Sequence, residues 1–209
     1  MELLLIRHGL PVRVERDDGA PADPPLSDEG RGQAQRMARW LAAHPIDVLI
    51  ASPLRRAIET AQPLAVAKGL EVGLERGVRE LDAESDHYIP LEELREQDYD
   101  AWREAMAGGL YAGVDVESFR AAVVDALERI IAAHRGRSVA VVCHGGVINA
   151  WASHVLGIEE LLFFNPYYTS INRFFAASSG ERSVATLGET PHLRADVFPD
   201  AEDPGGPSA

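Results

Sequence analysis

Cysteine is nearly absent from this 209-residue chain. Cys143 stands alone, so no disulfide can form within the chain, and a reducing compartment is expected. Lysine is equally scarce: Lys68 is the single one, and the remaining positive charge is arginine. Basic residues as a class are outnumbered, 20 against 33 acids, which leaves a formal net charge of −13. Nucleic acid is therefore not an expected partner, because phosphate-backbone binding needs a basic surface. An anionic substrate meets an opposing global field, which a local arginine cluster has to overcome. No apolar run approaches the roughly 20 residues of a membrane span. The N-terminal run Leu3–Ile6 is too short for a signal peptide and lacks its basic flank. No membrane partner and a cytoplasmic location are expected. No Gly-rich loop ends in Gly-Lys-Ser/Thr, which excludes nucleotide hydrolysis of that type. No internal repeat is present.

What remains is enough for a sizeable core. Hydrophobic residues make up 46% and charged residues 25%, the balance of a globular protein. The organising stretch is Leu3-Leu4-Leu5-Ile6-Arg7-His8-Gly9. Its apolar run suits a buried strand, and Gly9 allows a sharp turn after it. Arg7 and His8 then lie at the strand's carboxyl end, where open α/β sheets bind ligands. Residues 11–25, rich in Pro, Asp and Gly, read as an irregular loop. Ser27 caps a helix from Asp28 to about Ala43 with Ala34, Met37, Ala38 and Leu41 on one face.

A second buried strand, Asp47–Ala51, runs into Ser52-Pro53-Leu54-Arg55-Arg56. Here Ser52 is expected to cap a helix beginning at Pro53. Pro63 is expected to kink or restart it, and Gly69 to stop it. Residues 71–80 read as a weak strand. From Glu80 to Glu104, ten acids face only Arg95 and Arg103; a helix from Pro90 to Ala107 makes 81–115 a small cap insertion. Most of these charges suit a solvated face. An amphipathic helix follows from Val116 to about His134. The third clear strand, Ser138–Cys143, ends in His144-Gly145-Gly146 before a helix Val147–Leu156 stopped by Gly157. A histidine and glycines at a helix N-terminus form an anion-binding arrangement. Phe163, Phe164, Tyr167 and Tyr168 cluster; core packing or a subunit contact, hence a homodimer, is expected of them. Residues 171–177 and 183–187 read as a closing hairpin, and 199–209 as a disordered tail. One domain, 1–198, is expected, of α/β class: a three-layer sandwich with a mostly parallel central sheet flanked by helices.

Two strands end in histidine-glycine and a third leads into paired arginines. If the strands are neighbours, Arg7, His8, Arg56 and His144 converge, and a group with several anionic oxygens such as phosphate fits them best. Cys143 is a weak nucleophile candidate: the cysteine-phosphatase pattern needs arginine at 149, where Asn149 stands. A metal site on Cys143, His144 and His8 lacks a known ligand spacing. Arg13, in the loop, is expected to be solvated.

The chain resembles the histidine phosphatase superfamily, also called the phosphoglycerate-mutase-like family. The matching pieces occur in the family's order over residues 3–146. They are Leu5-Ile6-Arg7-His8-Gly9, Pro25-Leu26-Ser27-Asp28-Glu29-Gly30 with Gln33-Ala34, Ser52-Pro53-Leu54-Arg55-Arg56-Ala57 with Thr60-Ala61, Val78-Arg79-Glu80, and Val142-Cys143-His144-Gly145-Gly146. The resemblance implies that His8 is the nucleophile that forms a phosphohistidine. It implies that Arg7, Arg56 and His144, with Gly145 beside them, bind the phosphoryl oxygens. Glu80 is implied as general acid for the leaving oxygen and then base for water. Of the two arginines, Arg56, just before Ala57, is the implied ligand, and Arg55 is a surface residue. No metal and no cofactor are implied.

The chain departs from the pattern twice. Leu10-Pro11-Val12-Arg13-Val14 lacks the usual Thr or Ser and then Asn, and Leu81-Asp82-Ala83-Glu84-Ser85 replaces an aromatic and glycine pattern. Both departures favour phosphomonoester hydrolysis of a small phosphorylated metabolite. Phosphoglycerate mutase, or a catalytically silent scaffold binding a phosphorylated ligand, are the alternatives.

Overall fold

The computed structural model describes residues 1–90, 98–100, 103 and 115–194. The expected cap helix 90–107 and the tail 199–209 lie almost wholly outside these. A six-stranded sheet forms the middle layer. Its strands are β1 (Glu2–Arg7), β3 (Val48–Ala51), β4 (Val72–Leu74), β6 (Ser138–Cys143), β7 (Ile171–Ala176) and β8 (Arg182–Glu189). The spatial order is β4-β3-β6-β1-β7-β8. The first four are parallel, and the β7–β8 hairpin adds antiparallel strands beyond β1. The α/β sandwich read from the sequence is the observed architecture.

Alternation along β1 explains the layers. Leu4 and Ile6 point to one face, where they meet Met37, Leu41, Ala57 and Leu64. These come from α1 (Asp28–Leu41) and α2 (Arg55–Lys68). Leu3 and Leu5 point to the other face, onto Leu127, Ile130 and Trp151, carried by α3 (Val116–Ala133) and α4 (Gly145–Leu156). A strand's period of two feeds both cores from one apolar run. Burial of such residues stabilises by about 1.5–3 kcal/mol each.

Local signals fixed several helix ends. Ser27 Oγ accepts from Gly30 N at 3.0 Å, as its cap role requires. Gly69 and Gly157 take left-handed φ values of 64° and 68° after α2 and α4, where only glycine is unstrained. Two expectations fail. Ser52 does not cap α2; the helix begins at Arg55, and Asp23 from the distant loop accepts from Arg55 N at 2.8 Å. Nor does Pro63 restart it: α2 runs through Pro63 to Lys68. The loop 11–25 is less irregular than expected, since β2 (Val14–Glu15) pairs with β5 (His87–Tyr88).

Candidate active site

Register builds the site. Arg7 on β1 lies opposite Cys143 on β6, and Ala51 on β3 opposite Val142. His8, His144 and Ser52 therefore leave three adjacent parallel strands at one level, on the carboxyl edge of the sheet. The rings of His8 and His144 stand 5.1 Å apart, centroid to centroid. Arg56 comes from the first turn of α2 and Glu80 follows the 3₁₀ turn Arg76–Val78. Arg7, His8, Arg56, Glu80 and Gly145 all line one cavity of about 80 Å³. His144 lies beneath it, fully buried. The structure thus brings together every site residue expected from the sequence.

The backbone holds His8 in one state. Its Nδ1 is 2.8 Å from the carbonyl oxygen of Gly9. A carbonyl only accepts, so Nδ1 carries the proton and Nε2 keeps its lone pair. Burial, with Arg56 and Arg7 beside it, holds the His8 pKa well below the usual histidine range. The neutral ring is the resting form. The chain after His8 is tied down: Gly9 N donates to Thr60 Oγ1 at 2.9 Å, and Leu10 N to Gln33 Oε1 at 2.9 Å. Gly9 is required for packing, since a Cβ there would stand 2.7 Å from the carbonyl oxygen of Gly30.

Arg56 is 1% exposed and its Nη2 lies 3.5 Å from Asp82 Oδ1. The Tyr88 ring covers its guanidinium at 4.7 Å, and the Tyr168 ring covers that of Arg7 at 4.0 Å, both within cation–π range. Arg7 Nη1 donates to the Pro166 carbonyl at 2.7 Å. His144 Nε2 meets Ser52 Oγ at 2.8 Å. Burial first, then Arg56, keeps the His144 pKa well below the usual value. Two buried polar atoms of this cluster, Arg56 Nε and His144 Nδ1, have no hydrogen-bond partner among the described residues. Buried orphans of this kind call for a ligand with acceptor oxygens.

The N-terminus of α4 also seats a carboxyl group of the protein itself. Gly146 N donates to Glu80 Oε2 at 2.9 Å, and Leu81 N to Glu80 Oε1 at 3.0 Å. A Cβ on Gly146 would come within 2.2 Å of Glu80 Oε1, so glycine is needed for this seat. These contacts favour the carboxylate. Burial and the neighbouring Asp82 outweigh them and raise the Glu80 pKa above the usual range. Proton retention suits an acid catalyst.

Other residues join the wall unforeseen. Asp82, Tyr88 and Ile89 line the cavity with Leu162, Phe164, Asn165 and Pro166. The aromatic cluster is therefore split: Tyr167 is 60% exposed, while Phe164 and Tyr168 belong to the site. Asn149 fixes that wall by donating to the Gly145 and Phe164 carbonyls at 3.0 Å and accepting from Phe163 N at 3.2 Å. Arg55 is out of the cavity, paired with Glu59 at 2.7 Å, and Arg13 is exposed beside Glu15. Cys143 packs in the core, where burial pushes its thiol up. Among the described residues no group of three His, Cys, Asp or Glu is placed to hold a metal ion, and no helix is long and apolar enough to cross a membrane.

Comparison with known proteins agrees with this geometry. Residues 3–188 match the model of the histidine phosphatase superfamily (branch 1). The chain is 31% identical to phosphoglycerate mutase-like protein 4 of Arabidopsis thaliana, over 94% of this chain and 89% of that protein. It is also 31% identical to phosphoserine phosphatase 1 of Hydrogenobacter thermophilus, over 79% and 81%. The fold superposes on a phosphoserine phosphatase variant of Entamoeba histolytica solved with phosphoserine, with a TM-score of 0.72 and 23% identity over 92% of this chain and 99% of that one.

Proposed function

The chain belongs to the histidine phosphatase superfamily, and on that premise we propose that it hydrolyses a small phosphomonoester through a phosphohistidine, without a metal. The observation that carries this reading is the His8 ring, held with Nδ1 on the Gly9 carbonyl and lying close to Arg7 and Arg56. In the first step Nε2 of His8 attacks phosphorus and the bond to the ester oxygen breaks. Glu80, protonated, gives its proton to the departing oxygen. Arg7 and Arg56 neutralise the phosphoryl oxygens at any working pH, the task that magnesium performs in other phosphoryl-transfer sites. His144 donates from Nδ1, with Ser52 donating its hydroxyl proton to Nε2. In the second step a water attacks phosphorus, Glu80 takes its proton, and inorganic phosphate leaves His8 neutral.

Hydrolysis is favoured over mutation of phosphoglycerate by the cavity's outer wall. The described cations that line the cavity are Arg7 and Arg56, both committed to the phosphoryl group, and the wall adds the acidic Asp82, 3.5 Å from Arg56. A substrate with a second anionic group meets repulsion there. Relatives are named both as mutases and as phosphoserine phosphatases, so the assay must separate the two activities. With chelator present, an aryl phosphate is expected to release phosphate, and His8→Ala to abolish the release. A requirement for added magnesium, or isomerisation of phosphoglycerate outrunning hydrolysis, sinks the proposal.

A further inference from the structure

Thr169 is the single non-glycine residue among the described ones with a left-handed backbone, at φ 56°. It is β-branched and fully buried, the residue type least suited to that region. Such conformations persist where surrounding contacts over-determine them, and they gather at functional sites. Three contacts hold this one. Thr169 N donates to the carbonyl of His8 at 3.2 Å. Its Oγ1 lies 2.7 Å from the Tyr168 carbonyl and 2.9 Å from His192 Nε2. The carbonyl can only accept, so the hydroxyl donates to it, and His192 must donate from Nε2 to Oγ1. His192 Nδ1, which then carries a lone pair and no proton, has no partner among the described residues.

The consequence reaches the site. The turn at Thr169 reverses the chain between the cavity wall and β7, and sets the Tyr168 ring 5.7 Å from that of His8 and 4.0 Å from the Arg7 guanidinium. His192 sits in the 3₁₀ turn Pro191–Leu193 after β8, which packs on α1. One hydroxyl thus ties the far end of the described chain to the loop behind the nucleophile. We propose that Thr169, anchored by His192, is a positioning residue that holds Tyr168 against His8 and Arg7 and so aligns the imidazole for attack. This rests on the phosphohistidine reading only for its effect on rate.

The test uses the full chain and three variants at Thr169. Thr169→Ser keeps the hydroxyl and is expected to retain kcat within about twofold. Thr169→Val keeps shape and strain but loses the tie, and is expected to lower kcat by about tenfold with KM near its original value. Thr169→Gly relieves the backbone strain but loses the buried hydroxyl, and should turn over as slowly as the valine variant. A purely structural role predicts the reverse: the valine and glycine variants melt lower while kcat stays at the parental value. His192→Gln, which keeps a donor at the place of Nε2, should rescue what His192→Leu loses. Imidazole ¹⁵N spectra give a second reading independent of turnover: the His8 ring signals should shift in the valine and glycine variants and stay in serine. If the parent hydrolyses no phosphomonoester, the proposed function fails and the spectra alone decide the role of Thr169. Unchanged His8 signals in valine and glycine, or parental kcat in either, overturn the inference.

Discussion

The inner floor of the cavity and its outer wall are built differently. The floor comes from the ends of β1, β3 and β6 with Arg56 from the first turn of α2 beside them, and ladder register sets its heights: His8 N donates to the Cys143 carbonyl at 3.0 Å and Ser52 N to the Val142 carbonyl at 2.9 Å. The wall comes from segments 80–90 and 162–168, tied by side chains such as Asn149 and by the two-residue pairing of β2 with β5. A floor held by strands can place reacting atoms within tenths of an ångström, which chemistry needs. A wall held by loops can change without loss of the sheet, which suits choice of substrate.

Breaking the floor should cost most. Arg56→Gln removes a fully buried charge from the phosphoryl site and is expected to lower kcat/KM for an aryl phosphate by about 10²–10³-fold, measured at saturating and limiting substrate. Next comes the seam between floor and wall. Gly146→Ala puts a methyl where Glu80 Oε1 sits, and kcat for an alkyl phosphate should fall by about 10–100-fold. Aryl phosphates, whose leaving groups need less protonation, should lose much less.

The pH profile sharpens the same division. Burial and Asp82 raise Glu80 above the usual carboxyl range, while burial and the arginines hold His8 well below its usual value. On the proposed mechanism the shift of His8 favours the neutral ring that attacks, and Glu80 as the acid loses its proton as pH climbs through its raised pKa. Turnover of an alkyl phosphate should peak below neutral and decline on the alkaline side, with aryl phosphate flatter; equal flat profiles from pH 5 to 8 would remove Glu80 from its role. The smallest effect belongs to the wall. Asp82→Asn should improve kcat/KM for a substrate with a second anionic group by about fivefold relative to an uncharged alkyl phosphate, read from the ratio of the two.

The floor was legible in the sequence and much of the wall was not. Leu3–Gly9 and Val142–Gly146 announce their strands by apolar runs and their turns by glycine, and adjacent parallel strands then bring His8 to His144. Gln33 and Thr60 carry no charge and no reactive atom; only the tertiary fold reveals that they hold the backbone of Leu10 and Gly9. Ser52 shows how a local rule loses to a distant partner. A serine before proline reads as a cap, yet its hydroxyl goes to His144, 92 residues away, and Asp23 takes over the helix end. The helix N-terminus at Gly145 was read as an anion seat for the substrate; the fold adds that Gly146 N, in its first turn, donates to the protein's own Glu80 carboxyl. Thr169 gave no warning, because residue type argues against its backbone conformation. Tyr168 and Phe164 were visible as aromatics, but periodicity does not distinguish a cavity lining from a core.

The carbonyl of Gly9 that grips His8 is a peptide dipole, with no proton to gain or lose in water near neutrality. An imidazole oriented by a carboxylate would be disarmed whenever that carboxylate titrated. Here the aim of the ring is indifferent to acidity, and on the proposed mechanism the response to pH passes to the carboxyls across the cleft.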